Sequence, residues 1–445
     1  MRIVDSIKNI FKIEELRNRV LFTIGLLLVF RLGAHIPAPG IPPGALAKIM
    51  NFEDSSLFGL YDLFTGGAFK QMTIFALGIM PYISVSIIMQ LLGVVVPYFQ
   101  RLQKEGELGR KKINQLTRYG TVLLGLSVST GTAVALAGRL SELDPAFQSG
   151  LIYYIPVVVT LMTGIVFLMW LGEQITERGI GNGISMIIMI GIISRLPNVI
   201  IQEIGWVQEG AKQLFPRIIL IGLFVLIVGA VVRMTQGVRK IPVQYAKRVV
   251  GRKVYGGGST HIPLRVNSAG VMPIIFAQTI MMVISAPVNM FPDNGFFIAM
   301  SRWLSPDSAV YWIISAMVIV FFTYFWTAIM LDPVQVADNL KQNGGFVPGV
   351  RPGKKTAEYI DNILTRVTLP GSLFLAVVAM MPFIIVKLFG GEIDYSLANF
   401  LGGTSLLIIV GVALDTLQQM EQHLLMHHYD GFMKSGQIKG RKGRM

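Results

Sequence analysis

Ten stretches, each of roughly 20 predominantly apolar residues, recur along this chain, centred near Leu28, Ile83, Gly125, Thr163, Ile190, Leu226, Ile280, Ile319, Val378 and Ile409. Runs this long and continuously apolar are expected to cross a bilayer as helices, because a helix satisfies its own backbone polar groups where there is no water. The sequence between them is too short for a sizeable soluble domain. Composition agrees, with 53% of the 445 residues hydrophobic and 14% charged, where soluble domains carry about 25% charged residues. The expected fold is an all-α polytopic membrane protein with ten transmembrane helices. Five spans per half give the halves opposite topologies, the arrangement of an inverted repeat with a path or site where the halves meet. The expected division is 1–205 for the first half, 206–420 for the second and 421–445 for a basic tail.

The formal charge is +14, and its placement matters more than its size. Of 39 Lys and Arg, thirty fall at the two termini or in loops after even-numbered spans, and seven on the other side. The positive-inside rule then puts both termini in the cytoplasm. Arg31 and Arg195 are left over near the outer ends of spans one and five, where long stems are expected to snorkel to water. The opening "MRIVDSIKNIFKIEELRNRV" lacks the apolar core of a signal peptide, and Ile3, Ile7, Ile10 and Phe11 recur as on a helix lying on the inner membrane surface. Cysteine is absent, which excludes disulfides, thiolate metal sites and Cys nucleophiles.

Two inner loops are long, 236–267 and 332–365. The first, "RKIPVQYAKRVVGRKVYGGGSTHIPLRV", sets Val243, Tyr245 and Val249 among Lys and Arg and reads as a basic strand pair around Gly256-Gly257-Gly258. The second, "KQNGGFVPGVRPGKKTAEYIDNIL", reads as a Gly- and Pro-punctuated loop ending in a short helix. Anchoring alone does not require so much basic sequence beyond the membrane surface, so the pair reads as a docking platform. Outside, the loop from Pro37 to Gln71 holds a half-helix that breaks at Gly66-Gly67, before an apolar run with Gly78 and Pro81 inside it.

Catalytic patterns are lacking. "PGVRPGKKT" fails as a phosphate loop, since Pro348 stands where Gly is needed and Lys355 where Ser or Thr is needed. His423 and His427 have the i, i+4 spacing of a helical metal site without a carboxylate or thiolate to complete it. An intramembrane hydrolase would need Ser/Lys, Asp/Asp or His–Glu groups within the spans. A secondary transporter of a small solute is the alternative reading, and it would hold ionisable groups at mid-membrane depth. Glu173, Asp332 and Asp415 instead lie near the ends of their spans. The pairs Ile79 and Ile83, and Ile184 and Ile188, each share a helical face. Such isoleucines usually face lipid or pack; a ring of these stiff side chains would also make a constriction that stops ions by dewetting.

The segments "FALGIMPYISVSIIMQLL", "EGELGRKKINQLTRYGT", "FLMWLGEQITERGIGNGISM", "NSAGVMPIIFA", "ADNLKQNGGFVPGVRPGKKTAEYID" and "GGTSLLIIVGVALD" together resemble the bacterial SecY family, channel subunits of the Sec protein translocon. The likeness runs from "LRNRVLFTIGLLLVFRLGAHIPAPG" to the basic tail. It implies a multi-pass channel of the bacterial cytoplasmic (inner) membrane that passes unfolded secretory polypeptides. Transmembrane segments would leave sideways into membrane lipid, through a lateral gate of spans two and three against seven and eight.

Residue roles follow from the same resemblance. It implies a plug at about 57–69, with Leu57, Tyr61, Phe64 and Phe69 and a hinge at Gly66 and Gly67, followed by a gate helix weakened by Gly78 and Pro81. It implies a pore ring of Ile79, Ile83, Ile184, Ile188, Ile275 and Ile408. Lys247, Arg248 and Arg252 in one loop and Arg351 and Lys354 in the other would dock the SecA motor ATPase or the ribosome. The small membrane subunits SecE and SecG would be partners, polypeptides with signal sequences the substrates, and no catalytic residue, cofactor or metal is implied.

Overall fold

A computed structural model of the chain describes residues 13–41, 61–62, 64–143, 150–208, 215–245, 248–250, 253–255, 259–290, 295–305, 308–389, 393 and 395–435. The N-terminal surface helix expected from Ile3 to Phe11 lies outside them. The helices are α1 (Glu14–Gly33), α2 (Met80–Val95), α3 (Pro97–Lys104), α4 (Glu107–Leu143), α5 (Leu151–Arg178), α6 (Gly183–Gln208), α7 (Phe215–Gln236), α8 (Met272–Met290), α9 (Gly295–Leu304), α10 (Ala309–Met330), α11 (Pro333–Gln342), α12 (Lys354–Leu388), α13 (Tyr395–Gly402) and α14 (Thr404–Ser435). All ten apolar centres fall in helices, namely α1, α2, α4 to α8, α10, α12 and α14. Among the described residues seven helices are long and apolar enough to cross a membrane, or eight if the bent pair α2–α3 is one span. Pro97 causes that 96° bend: it pushes Val96 into an extended conformation and starts α3 afresh.

Two expectations about these helices need correction. Span two becomes helical only at Met80, and residues 66–79 form turns, with Gly78 at φ +55°. Pro81 lies in the first turn of α2, where a missing N–H costs nothing, so it starts the gate helix rather than weakening it. The short helix expected at the end of the second inner loop has no end of its own either. It runs on as α12, 35 residues through Pro370 and Pro382, with a polar first third.

Among the described residues, helices α1 to α6 pack on the later ones mainly through α2 against α8 and α6 against α13 and α14. One apolar cluster draws on α1, α2, α4, α5, α6, α8, α10 and α14. A second joins α7, α8, α10, α12 and α14. Outward-facing residues such as Leu123, Ile152 and Leu226 are exposed, as lipid contact requires. Within the first half Arg118 clamps Glu173 through two parallel contacts of 2.9 and 2.8 Å, tying α4 to α5.

The two long inner loops fold into one body. β1 (Val238–Tyr245) pairs antiparallel with β4 (Ser259–Arg265), and β5 (Gly345–Phe346) from the second loop pairs with the other edge of β1. β2 (Arg248–Val250) and β3 (Lys253–Tyr255) continue the β1–β4 register, from Gln244↔Ser259 to Arg248↔Tyr255. In this register Val250 pairs with Lys253, ahead of the glycine triplet at 256–258 around which the sequence predicts the strand pair. Ile241, Val243 and Leu264 pack under the sheet with Leu340, Val347, Ile360 and Leu364 of the second loop, α11 and α12.

Candidate functional site

Ile79, Ile83, Ile188, Ile275 and Ile408 are all buried in the larger apolar cluster, and the sixth ring candidate, Ile184, packs against it half-buried. They arrive from four places. Ile79 caps the start of α2 and Ile83 lies one turn in; Ile184 and Ile188 come from α6, Ile275 from the first turn of α8 and Ile408 from α14. Both halves contribute. A Cβ placed on Gly172 of α5 would stand 3.3 Å from Ile184 Cγ1 and 3.5 Å from Ile79 Cδ1, so these two side chains lie over the same glycine. About one turn beyond Ile275 and one turn before Ile408, Gln278 Nε2 donates to Thr404 Oγ1 at 3.3 Å and holds α8 to α14.

The candidate plug residues enter the same cluster. Tyr61, Phe64 and Phe69 are buried in it. Tyr61 meets Phe69 edge to face at 4.8 Å, and its hydroxyl donates to the Leu77 carbonyl at 2.6 Å. Gly66 and Gly67 take φ of +68° and +89°, a region that side chains with a Cβ rarely adopt, and this reverses the chain after the short helical turn. Leu57 lies outside the described residues. The base of the loop is tied by an antiparallel bridge, Pro37↔Thr73, flanked by Ala38 N–H to Met72 O at 2.9 Å and Ile74 N–H to Ile36 O at 3.0 Å.

Sequence reasoning missed what holds this loop inward. Arg195 reaches an acid rather than water alone: its Nη2 lies 3.1 Å from Oδ2 of Asp62, a carboxylate of the candidate plug segment only 1% exposed. The other oxygen, Oδ1, accepts the Lys70 N–H at 2.7 Å. Burial pushes the Asp62 carboxyl up, against the lowering effect of Arg195 and of the Lys70 N–H. Arg31, the second leftover cation, donates to the Gly66 carbonyl at 3.4 Å. The signal available in the sequence was Asp62 itself, an acid alone in the apolar stretch "LYDLFTGGAF".

On the body built from the two long loops Arg351 and Lys354 are exposed. The Arg351 carbonyl accepts the Thr356 hydroxyl at 2.9 Å, which fixes the loop tip to the start of α12. Arg248 belongs to β2, while Lys247 and Arg252 lie outside the described residues. No group of three or more His, Asp or Glu able to hold a metal occurs among the described residues.

A family model described as SecY matches residues 73–417. The protein translocase subunit SecY of Vibrio cholerae is 42% identical over 434 residues, covering 96% of each chain. That of Thermus thermophilus is 42% identical over 435 residues, 97% of this chain and 98% of its own. That of Escherichia coli K12 is 42% identical over 429 residues, 96% of each. Among solved structures, a protein-conducting channel superposes with a TM-score of 0.62 at 18% identity, covering 91% of each chain. A structure concerned with the SecY plug domain, its closed state and its membrane seal gives 0.58 at 17% identity, again over 91% of each. Sec61 in a canine ribosome–channel complex gives 0.57 at 16% and the same coverage. The fold, the match to the family model and the identity over nearly the whole length agree: this chain belongs to the SecY family.

Proposed function

We infer that this protein is the channel subunit of a protein translocase, passing unfolded secretory polypeptides across the bacterial cytoplasmic membrane and releasing transmembrane segments sideways into lipid. One observation carries the reading: both halves send isoleucines into a single apolar cluster that is also occupied by a loop of the same chain. An apolar constriction binds no solute and stops ions by dewetting; its isoleucines are stiff at χ1 but come from four separate helices, so it widens around a polypeptide when those helices move apart. The six isoleucines act as the ring, and the segment through Tyr61, Phe64, Gly66, Gly67 and Phe69 acts as the plug. The seam of α2 against α8 marks the lateral gate.

Both termini are cytoplasmic in this reading, on the side that carries most of the Lys and Arg. The body built from β1 to β5, α11 and the start of α12 offers Arg351 and Lys354, together with the sequence candidates Lys247, Arg248 and Arg252 of the first long loop, to an acidic motor surface or to ribosomal RNA phosphates. SecA and the ribosome are the corresponding partners, and SecE and SecG the small membrane subunits. The name of the full-length relatives and the ribosome-bound neighbour support these assignments.

The test is reconstitution: vesicles containing the chain with its small subunits, supplied with the motor, ATP and a secretory precursor. Protection of the precursor from added protease, dependent on both ATP and the chain, is expected. Uptake of a small ion or metabolite in exchange for a coupling ion, with no precursor protection, would instead favour the secondary transporter.

A further inference from the structure

We propose that the Asp62–Arg195 pair is a releasable electrostatic latch that holds the plug against α6 and sets how readily the channel opens. This rests on the reading of residues around 61–69 as the plug. The plug backbone crosses α6 at a point built for close approach: a Cβ on Gly66 would stand 2.9 Å from both the Cα and the O of Gly191, and one on Gly191 would stand 3.0 Å from the Phe64 carbonyl. Arg195 lies one turn further along α6, and Ile188 about one turn earlier. Ring, crossing point and latch thus share one helix.

The two partners meet water unequally. The Arg195 side chain is 29% exposed and that of Asp62 is 1% exposed. With the plug in place the carboxylate is dry and depends on the guanidinium, whereas the guanidinium keeps part of its hydration. Moving the plug outward about its tied base at Pro37↔Thr73 would return the carboxylate to water. The lost ion pair is then offset by regained hydration, so the closed state is favoured without being locked.

This asymmetry sets the expected behaviour of variants. Arg195→Gln strands a buried carboxylate and should drive the plug out. Asp62→Asn removes the charge together with its desolvation penalty and keeps an oxygen for the Lys70 N–H, so it should loosen the plug less. Adding Asp62→Asn to Arg195→Gln should therefore reverse most of the defect.

The measurement is chloride efflux from vesicles containing the chain with its small subunits, with no motor and no precursor. Arg195→Gln is expected to raise efflux on the order of tenfold, Arg195→Lys to stay near the parent, and the double variant to fall back to the level of Asp62→Asn. Suppression of this kind is not produced by misfolding, which a second substitution would worsen. Additive leaks in the double variant, or no leak from Arg195→Gln, would overturn the latch. Deletion of 61–69 in parallel separates the two ideas. A leaky deletion with silent Arg195→Gln sinks the latch alone, and a deletion without leak sinks the plug reading and the latch together.

Discussion

A cation near the outer end of an apolar helix can meet its charge in two ways, by reaching for water or by finding an acid. For Arg195 the sequence favours the first and the structure shows the second, because its partner sits in a loop far away in the chain. Helical periodicity tells which residues of one helix share a face; it does not tell which loop folds back onto that face. The proposed ring has the same limit. Spacing shows that Ile184 and Ile188 share a face with each other, but only packing puts Ile275 and Ile408 into the same apolar cluster. Replacing Ile188 with serine puts a hydroxyl into the dry constriction, so ions should pass on the order of tenfold faster. Chloride efflux measures this, with Leu226→Ser, 66% exposed on the outer face of α7, as the silent control. Gly66→Ala combines a left-handed backbone with a Cβ 2.9 Å from Gly191, so it should cost about 1–2 kcal/mol and loosen the plug. A lowered thermal midpoint with raised efflux is the expected pair of results.

Elements were more legible than contacts, because ten long apolar runs leave few alternatives to helices. Their ends were less legible. The apolar run after Gly66-Gly67 gives no sign that 66–79 stay in turns, since residues buried against other helices are apolar whatever their backbone does. The glycine triplet at 256–258 was similarly misleading as a turn signal, because strand register is fixed by the long β1–β4 ladder. That the two inner loops form one body depended on the β1–β5 pairing and a shared apolar underside, neither visible as periodicity. Two substitutions test this body. Ile241→Ala removes buried apolar volume and should cost about 2–5 kcal/mol locally, seen as faster protease cleavage within 238–265 together with reduced motor-driven translocation. Arg351→Ala should reduce translocation just as clearly while leaving the cleavage rate unchanged, since its side chain is exposed and the bond to Thr356 uses its backbone carbonyl.

At the scale of the whole molecule, two bundles joined along α2–α8 and α6–α14 enclose an apolar centre closed by a loop of the first bundle. The inverted five-plus-five arrangement is an expectation from counting spans; the observation beside it is that isoleucines from α2, α6, α8 and α14 share one apolar cluster. Removing the plug should therefore leave a channel that leaks ions yet still translocates, because the ring and the docking body remain. The central claim is that a polypeptide passes through the ring, and the absence of cysteine from the chain makes it directly testable. A cysteine placed at Ile275, with a secretory chain carrying its own single cysteine stalled in transit, should form a disulfide between the two. The same crosslink should form from Ile79 and Ile408 and not from Leu226. With motor and competent precursor present, failure at every ring position would contradict the account and return the small-solute transporter to consideration.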